Sequence, residues 1–416
     1  MPRREPRARM ERRGQGEHTA GTGERPAGPA GATGGPPRRE SARRKPGVPA
    51  VPGILGAADV LATAHSIAAA QEPSGAITWP DGHVDVWDHI ECAMALSACG
   101  LTGPARRAYA WLRRAQRDDG SWPRKIAGGA IADPAAESNH AAYVAVGVWH
   151  ELRVTGDDAF AASMWPTVRR AIEWVLGMQA PGGEIAWERD SRGRAADFAL
   201  LTGCSSIHQS LRCAVALAEH MGDPQPDWEL AADQLAHAVA CHPEAFADKS
   251  RFSMDWYYPV LGGAVRGNAA AERLASGWGT FVVPGLGVRC VADQPWVTGA
   301  ESCELVLALD AIGQRPAAAG LFAAVQHLRD GDGAYWTGWQ FANREHFPRE
   351  RSAWTAAAVI LAADALSDTT GGAGVFREPV ASAAGHAADP SACGCAGPAG
   401  GATGTAGARE GALEPP

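Results

Sequence analysis

Three times along the chain a helical run closes on a glutamine, turns on a glycine and brings back a tryptophan: Gln71-x3-Gly75-x3-Trp79, Gln116-x3-Gly120-x-Trp122 and Gln179-x3-Gly183-x3-Trp187. Gln326, Gly333 and Trp336 form a looser fourth copy. Glycine adopts at little cost the positive φ that ends a helix. Each copy therefore reads as a helix terminus that sends the chain back toward the face it has just left. A recurring helix–turn–helix unit cannot bury its apolar face alone, so such units must stack or close into a ring.

Apolar residues at i, i+3, i+4 and i+7, as in Val168–Met178, Ile207–His220 and Cys303–Ile312, predict helices near 57–71, 86–99, 104–117, 138–154, 158–179, 205–221, 226–241, 256–265, 269–278, 299–313, 316–328 and 352–366. Strand-like alternation is confined to short pieces such as Phe281–Val283 and Val288–Val291. The links alternate. Short ones (Gly100–Gly103, Thr155–Asp157, Gly222–Pro224, Gly313–Arg315) follow even helices, and long ones follow odd helices. Antiparallel pairs joined in this way put every long loop on one face, where sites are usually built. Six pairs suggest closure, and the expected fold is all-α: an (α/α)6 toroid of about twelve helices.

Residues 1–53 are rich in Arg, Gly and Pro with few large apolar side chains, and residues 367–416 are rich in Gly and Ala. Both read as disordered tails, leaving 54–366 as the toroid. Residues 1–47 carry a net +7, so the remainder of a chain with net charge −8 is acidic, which argues against a nucleic-acid-binding core. No apolar run is long enough to span a membrane, and no apolar stretch near the N-terminus marks a secretory signal. Nine cysteines without a CxxC pair suit buried thiols in a reducing cytoplasm. An Arg- and Gly-rich composition with only three lysines (Lys45, Lys125, Lys249) fits G+C-rich coding, but 15 Trp against 5 Tyr and 9 Phe do not follow from that.

The run Trp111-Leu112-x3-Gln116-x3-Gly120-x-Trp122 resembles the repeat element of squalene-cyclase and protein-prenyltransferase toroids. Thr155-Gly156-Asp157, Trp165-Pro166, Trp174, Gln179 and Gly183-Glu184-Ile185 are similar to the six-hairpin glycosidase superfamily. With Ser253–Gly263, the whole core resembles a bacterial group often labelled "prenyltransferase" that belongs structurally to the six-hairpin class. The resemblance implies the ring fold and leaves the chemistry open.

In such a ring the even helices line the centre, and their first turns converge on one cleft. Those turns carry Asp85, Trp87, Asp88, His89 and Glu91; Glu137, Asn139 and His140; Ser205 and His208; Asp255, Trp256 and Tyr257; Thr298, Glu301 and Glu304; and Trp354. Aromatic faces stack on sugar rings while carboxylates, His and Asn take hydroxyl hydrogen bonds. Glycoside cleavage needs two carboxyl groups, one protonated and one ionised. The candidate catalytic acids are Asp88, Glu137, Asp255 and Glu301. Candidate substrate-binding residues are Trp79, Trp87, His89, Asn139, His140, His208, Trp256, Tyr257, Trp296, Glu304, Trp336 and Trp354. Asp85, Ser205 and Thr298 read first as helix caps, and Trp111, Trp149, Trp165 and Trp174 as helix packing.

Two other classes stay open: a prenyltransferase or terpene cyclase acting on an isoprenoid, and a non-catalytic ring that binds a glycan or a protein. Against the isoprenoid reading, the chain has no Asp-x-Asp-Asp motif, and Cys290, Asp293 and Cys303 lack a matching His. No metal or cofactor is expected, nor a P-loop, HExxH or nucleophile-elbow chemistry. The expected partner is a small-molecule or glycoconjugate substrate, and the expected state a monomer or weak dimer.

Overall fold

The computed structural model describes residues 47–378. Among them are twelve α-helices: α1 (Ala57–Ala69), α2 (Val86–Ala98), α3 (Thr102–Ala115), α4 (Ser138–Thr155), α5 (Asp158–Leu176), α6 (Leu201–Met221), α7 (Pro226–Cys241), α8 (Ser253–Leu261), α9 (Gly267–Phe281), α10 (Gly299–Ala311), α11 (Arg315–Ala324) and α12 (Ala353–Ser367). The even helices pack in the closed order α2–α4–α6–α8–α10–α12 and back to α2, with the odd helices outside them. This is the all-α toroid that the alternating links predict.

Side-chain pattern decides which helix goes inside. α3 buries only Ala105, Ala108, Tyr109 and Leu112, the single stripe of an outer helix. α12 buries every residue from Thr355 to Ala365, and its alanines let neighbouring backbones approach from both sides. The Gln…Gly pairs act between outer helices. Gln116 Nε2 donates to Gly120 O (2.9 Å) in its own turn and to Thr167 O (2.9 Å) on α5. Gln71 does the same with Gly75 and Pro104, and Gln179 with Gly183 and Ala231. At Gly120 (φ +99°) a Cβ would lie 2.3 Å from Arg170 O, so the turn rests directly on the next outer helix. Gly333 packs in this way on Ala62 of α1, which closes the outer ring.

All the strands lie in the long links. β1 (His83–Val84), β2 (Lys125–Ala127) and β3 (Ala130–Asp133) form one antiparallel sheet; β4 (Ala136–Glu137) pairs with β5 (Glu188–Arg189). β6 (Val282–Val283), β7 (Gly287–Arg289), β8 (Trp296–Thr298), β9 (Gly338–Gln340) and β10 (Glu345–His346) form a second sheet in the order β10-β9-β8-β7-β6.

Two expected boundaries and two expected caps need correction. Residues 367–378, read as the start of a disordered tail, pack on the ring, with Val375 and Phe376 each only 8 % exposed. Their Gly-rich composition hid this because the contacts run through backbone carbonyls. At the other end Val51 is buried and bridged to Leu55. Residues 1–46 and 379–416, including the basic arm and Cys393-Gly-Cys395, lie outside the described residues. Ser205 is no cap, because α6 begins at Leu201 and the Ser205 hydroxyl donates to Leu201 O (2.7 Å). Thr298 holds the N-cap position of α10 without a side-chain cap bond. Cys92, Cys99, Cys204, Cys213, Cys290 and Cys303 are free thiols, and none of the described helices is long and apolar enough to cross a membrane.

Candidate active site

Asp85 caps α2 by accepting from Trp87 N (2.8 Å) and Asp88 N (3.2 Å). That cap sets the phase of the helix, so Asp88 and Glu91, three residues apart, share one face. Glu301 and Glu304 repeat the spacing on α10. Glu91 Oε1 accepts from Tyr143 Oη (2.8 Å) and Oε2 from Trp354 Nε1 (2.7 Å). Glu304 accepts from the hydroxyls of both Tyr257 and Tyr258, one on each oxygen. Trp79 Nε1 donates to Asp88 Oδ2 (2.7 Å), and the Cys290 thiol is bonded to Glu301. Trp87 lies flat on Tyr143, with centroids 4.1 Å apart.

Asp88, Glu91 and Glu304 lie close enough together and far enough from water that they do not all ionise. Burial, with Asp85 and Glu91 alongside, holds Asp88 well above the usual carboxylate range. Burial and Glu91 do the same to Glu304. Burial lifts Glu91 to about 6, against the pull of its Tyr143 and Trp354 hydrogen bonds. Glu91 and Glu304 have both oxygens occupied by rigid aromatic donors. Asp88 has one oxygen held by Trp79, while Glu301 meets only the thiol, so these two have lone pairs left for a ligand.

A charged network lies along the rim. His140 Nε2 sits 3.2 Å from Glu137 Oε2 and 3.4 Å from Asp85 Oδ2. Arg124 reaches Glu137 (3.9 Å), Asp133 (2.6 Å) and Glu188 across the β4–β5 pair. Burial raises the Glu137 carboxyl. The Asn139 side chain, 7 % exposed, leaves its Oδ1 without a protein partner.

Of the residues singled out in the sequence, Trp79, Trp87, Asp88, Tyr257, Glu301, Glu304 and Trp354 come together on this axis, with Glu137, Asn139 and His140 beside it. Six others have different roles, and Tyr257 on the axis serves another acid. His89 is a core histidine: its Nδ1 accepts from Ile77 N (3.1 Å) and its Nε2 meets Ala108 O (3.1 Å), so neither nitrogen is left for a sugar. His208 ties α6 to Gly262 O (2.7 Å) beside Arg212 and Arg266. Trp256 points outward, donating to Arg273 O (2.7 Å) and stacking on Phe281. Asp255 is held by Thr202 Oγ1 (2.6 Å) and neighbours Arg273, along the α6–α8 seam rather than among the axial acids. Tyr257 is fully buried and serves Glu304 rather than a ligand face. Trp296 packs on Phe347 (5.0 Å), and Trp336 stacks on His346 (4.3 Å). Sequence reasoning did not select Glu91, Tyr143, Tyr258, Arg124 or Phe376 for the site. The i, i+3 acid spacing could have found Glu91; Tyr143, Arg124 and Phe376 carry no local signal.

No family model matches the chain. Over 331 residues it is 59% identical to the MMP endo-(1,4)-3-O-methyl-alpha-D-mannosidase of Mycolicibacterium hassiacum, spanning 79% of this chain and 92% of that protein. The chain belongs to the family of that glycoside hydrolase. Among solved structures it resembles a glycosidase variant in complex with glucose (TM-score 0.61, 16% identity, 75% of this chain and 97% of that one) and a D-mannose isomerase (TM-score 0.54, 12% identity, 74% and 95%). At such identities these two show the shared fold. The likeness to prenyltransferase and cyclase rings is not supported: the Gln and Gly of the repeat are spent on stapling outer helices, which says nothing of an isoprenoid. The chain is a carbohydrate-active, glycoside-hydrolase-like protein.

Proposed function

We propose that the protein is an endo-acting glycosidase that cuts (1,4) bonds in chains of 3-O-methylated α-mannose, as the name of its relative describes for that enzyme. The observation that carries the chemistry is Asp88, a half-buried carboxyl held on one oxygen by Trp79 (2.7 Å) and kept toward its acid form by desolvation and by neighbouring acids. Glycoside cleavage needs such a group to protonate the leaving oxygen while a second carboxylate works at the anomeric carbon, directly or through water. Asp88 is the proton donor and Glu301 the second carboxylate. Glu91 and Glu304, fixed by aromatic donors, hold the field around them. Trp79 and Trp354, with ring centroids 6.3 Å apart, supply apolar faces suited to a sugar bearing a methyl ether.

Mass spectrometry of a 3-O-methylated α-(1,4)-manno-oligosaccharide incubated with the protein tests the reading. Internal cleavage is expected, with D88N and E301Q each losing about 10³-fold in rate at near-constant melting temperature. Retained activity in D88N removes the acid assignment. Tight binding without cleavage by the unaltered protein replaces the enzyme by a glycan-binding ring. Proton NMR of the first product tells whether Glu301 acts on the carbon or on a water.

A further inference from the structure

Beneath Glu91 and Glu304 the ring axis holds a small cavity of about 10 Å³, walled by Trp87, Glu91, Tyr143, Tyr258, Glu304 and Phe376 among others. Five of these residues come from inner helices. Phe376 does not: it belongs to the segment that follows α12 and reaches the axis from the short-loop end.

The segment is built to cross that end. Asp368 ends α12 in a left-handed conformation (φ +53°), and Asp364 Oδ1 accepts from Thr370 N (2.9 Å) to turn the chain inward. Gly371 lies so near α4 that a Cβ would meet Arg153 O at 2.0 Å, and a Cβ on Gly372 would meet the His150 ring at 2.5 Å. Beyond them Gln209 Nε2 on α6 donates to Val375 O (2.6 Å), and Arg266 Nη2 before α9 donates to Phe376 O (3.1 Å). Arg377 pairs with Asp310 on α10 (3.2 Å), and Glu378 with Arg153 on α4 (3.0 Å). The strap is thus pinned to α4, α6, α10 and the α8–α9 turn, so the ring of Phe376 is set among them rather than resting loosely.

We infer that residues 368–378 seal the short-loop end of the toroid and that Phe376, their plug, is a positioning residue for the reaction: by keeping water out of the axis from below, it holds Glu91 and Glu304 on their aromatic donors under Asp88. The inference rests on the glycosidase reading for its effect on rate, not for the seal itself. The groups facing the acids are, on α2, Asp85; on α10, Glu301 and Cys303; on α4, Tyr143; on α8, Tyr257 and Tyr258; and on α12, Trp354. None of these is a cation. The nearby positive groups, Arg153, Arg266 and Arg377, are held by the strap itself. Water entering past residue 376 therefore stabilises the ionised acids and loosens Glu304 from its two tyrosines.

The test compares the full chain with F376A and F376L. In F376A Glu91 and Glu304, which wall the cavity, ionise at lower pH, and their added charge holds the Asp88 proton more tightly, so the alkaline limb of kcat/KM on the methylated oligosaccharide moves up by about half a pH unit. The infrared bands of protonated carboxylic acids weaken at pH 7, and F376L restores both. If F376A does not fold, F376V gives the same two readings. An unchanged pH profile and unchanged carboxyl bands, with only a lower melting temperature, reduce Phe376 to a packing residue and overturn the inference. If the unaltered protein cleaves nothing, the infrared bands still decide whether the plug keeps the acids protonated, and the glycosidase reading alone falls.

Discussion

Trp354 and Glu91 lie 263 residues apart in sequence and 2.7 Å apart in space, the indole N–H of the last inner helix donating to a carboxylate of the first. The bond spans the seam where the ring closes, so closure and the site are made by the same contact. Replacing Trp354 with Phe keeps an aromatic face and removes the donor together with part of the indole. Glu91 Oε2 is then buried without a partner, a loss of about 1–3 kcal/mol in stability. Steady-state kinetics of W354F are expected to show kcat lowered about tenfold with KM nearly unchanged. A change confined to KM would place Trp354 at the substrate alone.

The outer staple makes a purely structural prediction. Gly120 has φ +99° and its missing Cβ would sit 2.3 Å from Arg170 O, whereas Gly128 has φ +57° and open space around it. G120A must strain the turn and push α3 from α5, a cost of about 3 kcal/mol or more; G128A meets only the left-handed backbone penalty of about 1–2 kcal/mol. Urea melts of the two variants read the difference. Equal losses would mean that the repeat glycine serves only its φ, not the close approach.

The same contrast explains what the sequence could and could not disclose. The ring was legible because helical period, link length and the Gln…Gly turns are local signals that agree with one another. Asp88, Glu301 and Trp354 were reachable because a helix N-terminus at the long-loop face has a definite address, and Trp79 because it closes a Gln…Gly…Trp turn. His89 and Trp256 occupy the same first turns, yet 3.6-residue periodicity points one residue at the axis and its neighbour at the outer helices. A one-residue step along α2 thus separates Asp88 from a core histidine. Phe376 was invisible for a different reason: nine residues after a helix end, in a Gly-rich run, nothing local says that it returns to the centre. Only the carbonyl contacts made by Gln209 and Arg266, each remote in sequence, place it there.

His208 gives a test of stability against pH. Burial, with Arg212 and Arg266 nearby, lowers its folded value to about 4 from the ordinary 6.5. The unfolded chain therefore binds a proton that the folded one refuses, and this group's contribution to stability falls as pH falls from 6.5 to about 4. H208Q cannot titrate. Its cost relative to the unaltered protein, measured by denaturant melts, is expected to shrink by about 2–3 kcal/mol between pH 7 and pH 4.5. A pH-independent cost would show that the fold leaves the proton affinity of His208 unshifted.

Asp85 offers a way to move the proposed acid without touching it. As N-cap of α2 it accepts two backbone N–H groups, a role that Asn fills about as well as Asp. As a charge it is one of the neighbours that keep Asp88 protonated. D85N separates the two roles: the cap stays, the negative charge goes, and His140 keeps Glu137 as its carboxylate partner. Removing a like charge favours ionisation of Asp88, so the alkaline limb of kcat/KM should move down by about half a pH unit while melting temperature stays within a few degrees. A shift of the alkaline limb upward would contradict Asp88 as the proton donor, because no change at Asp85 that leaves the cap in place can raise the proton affinity of a neighbouring acid.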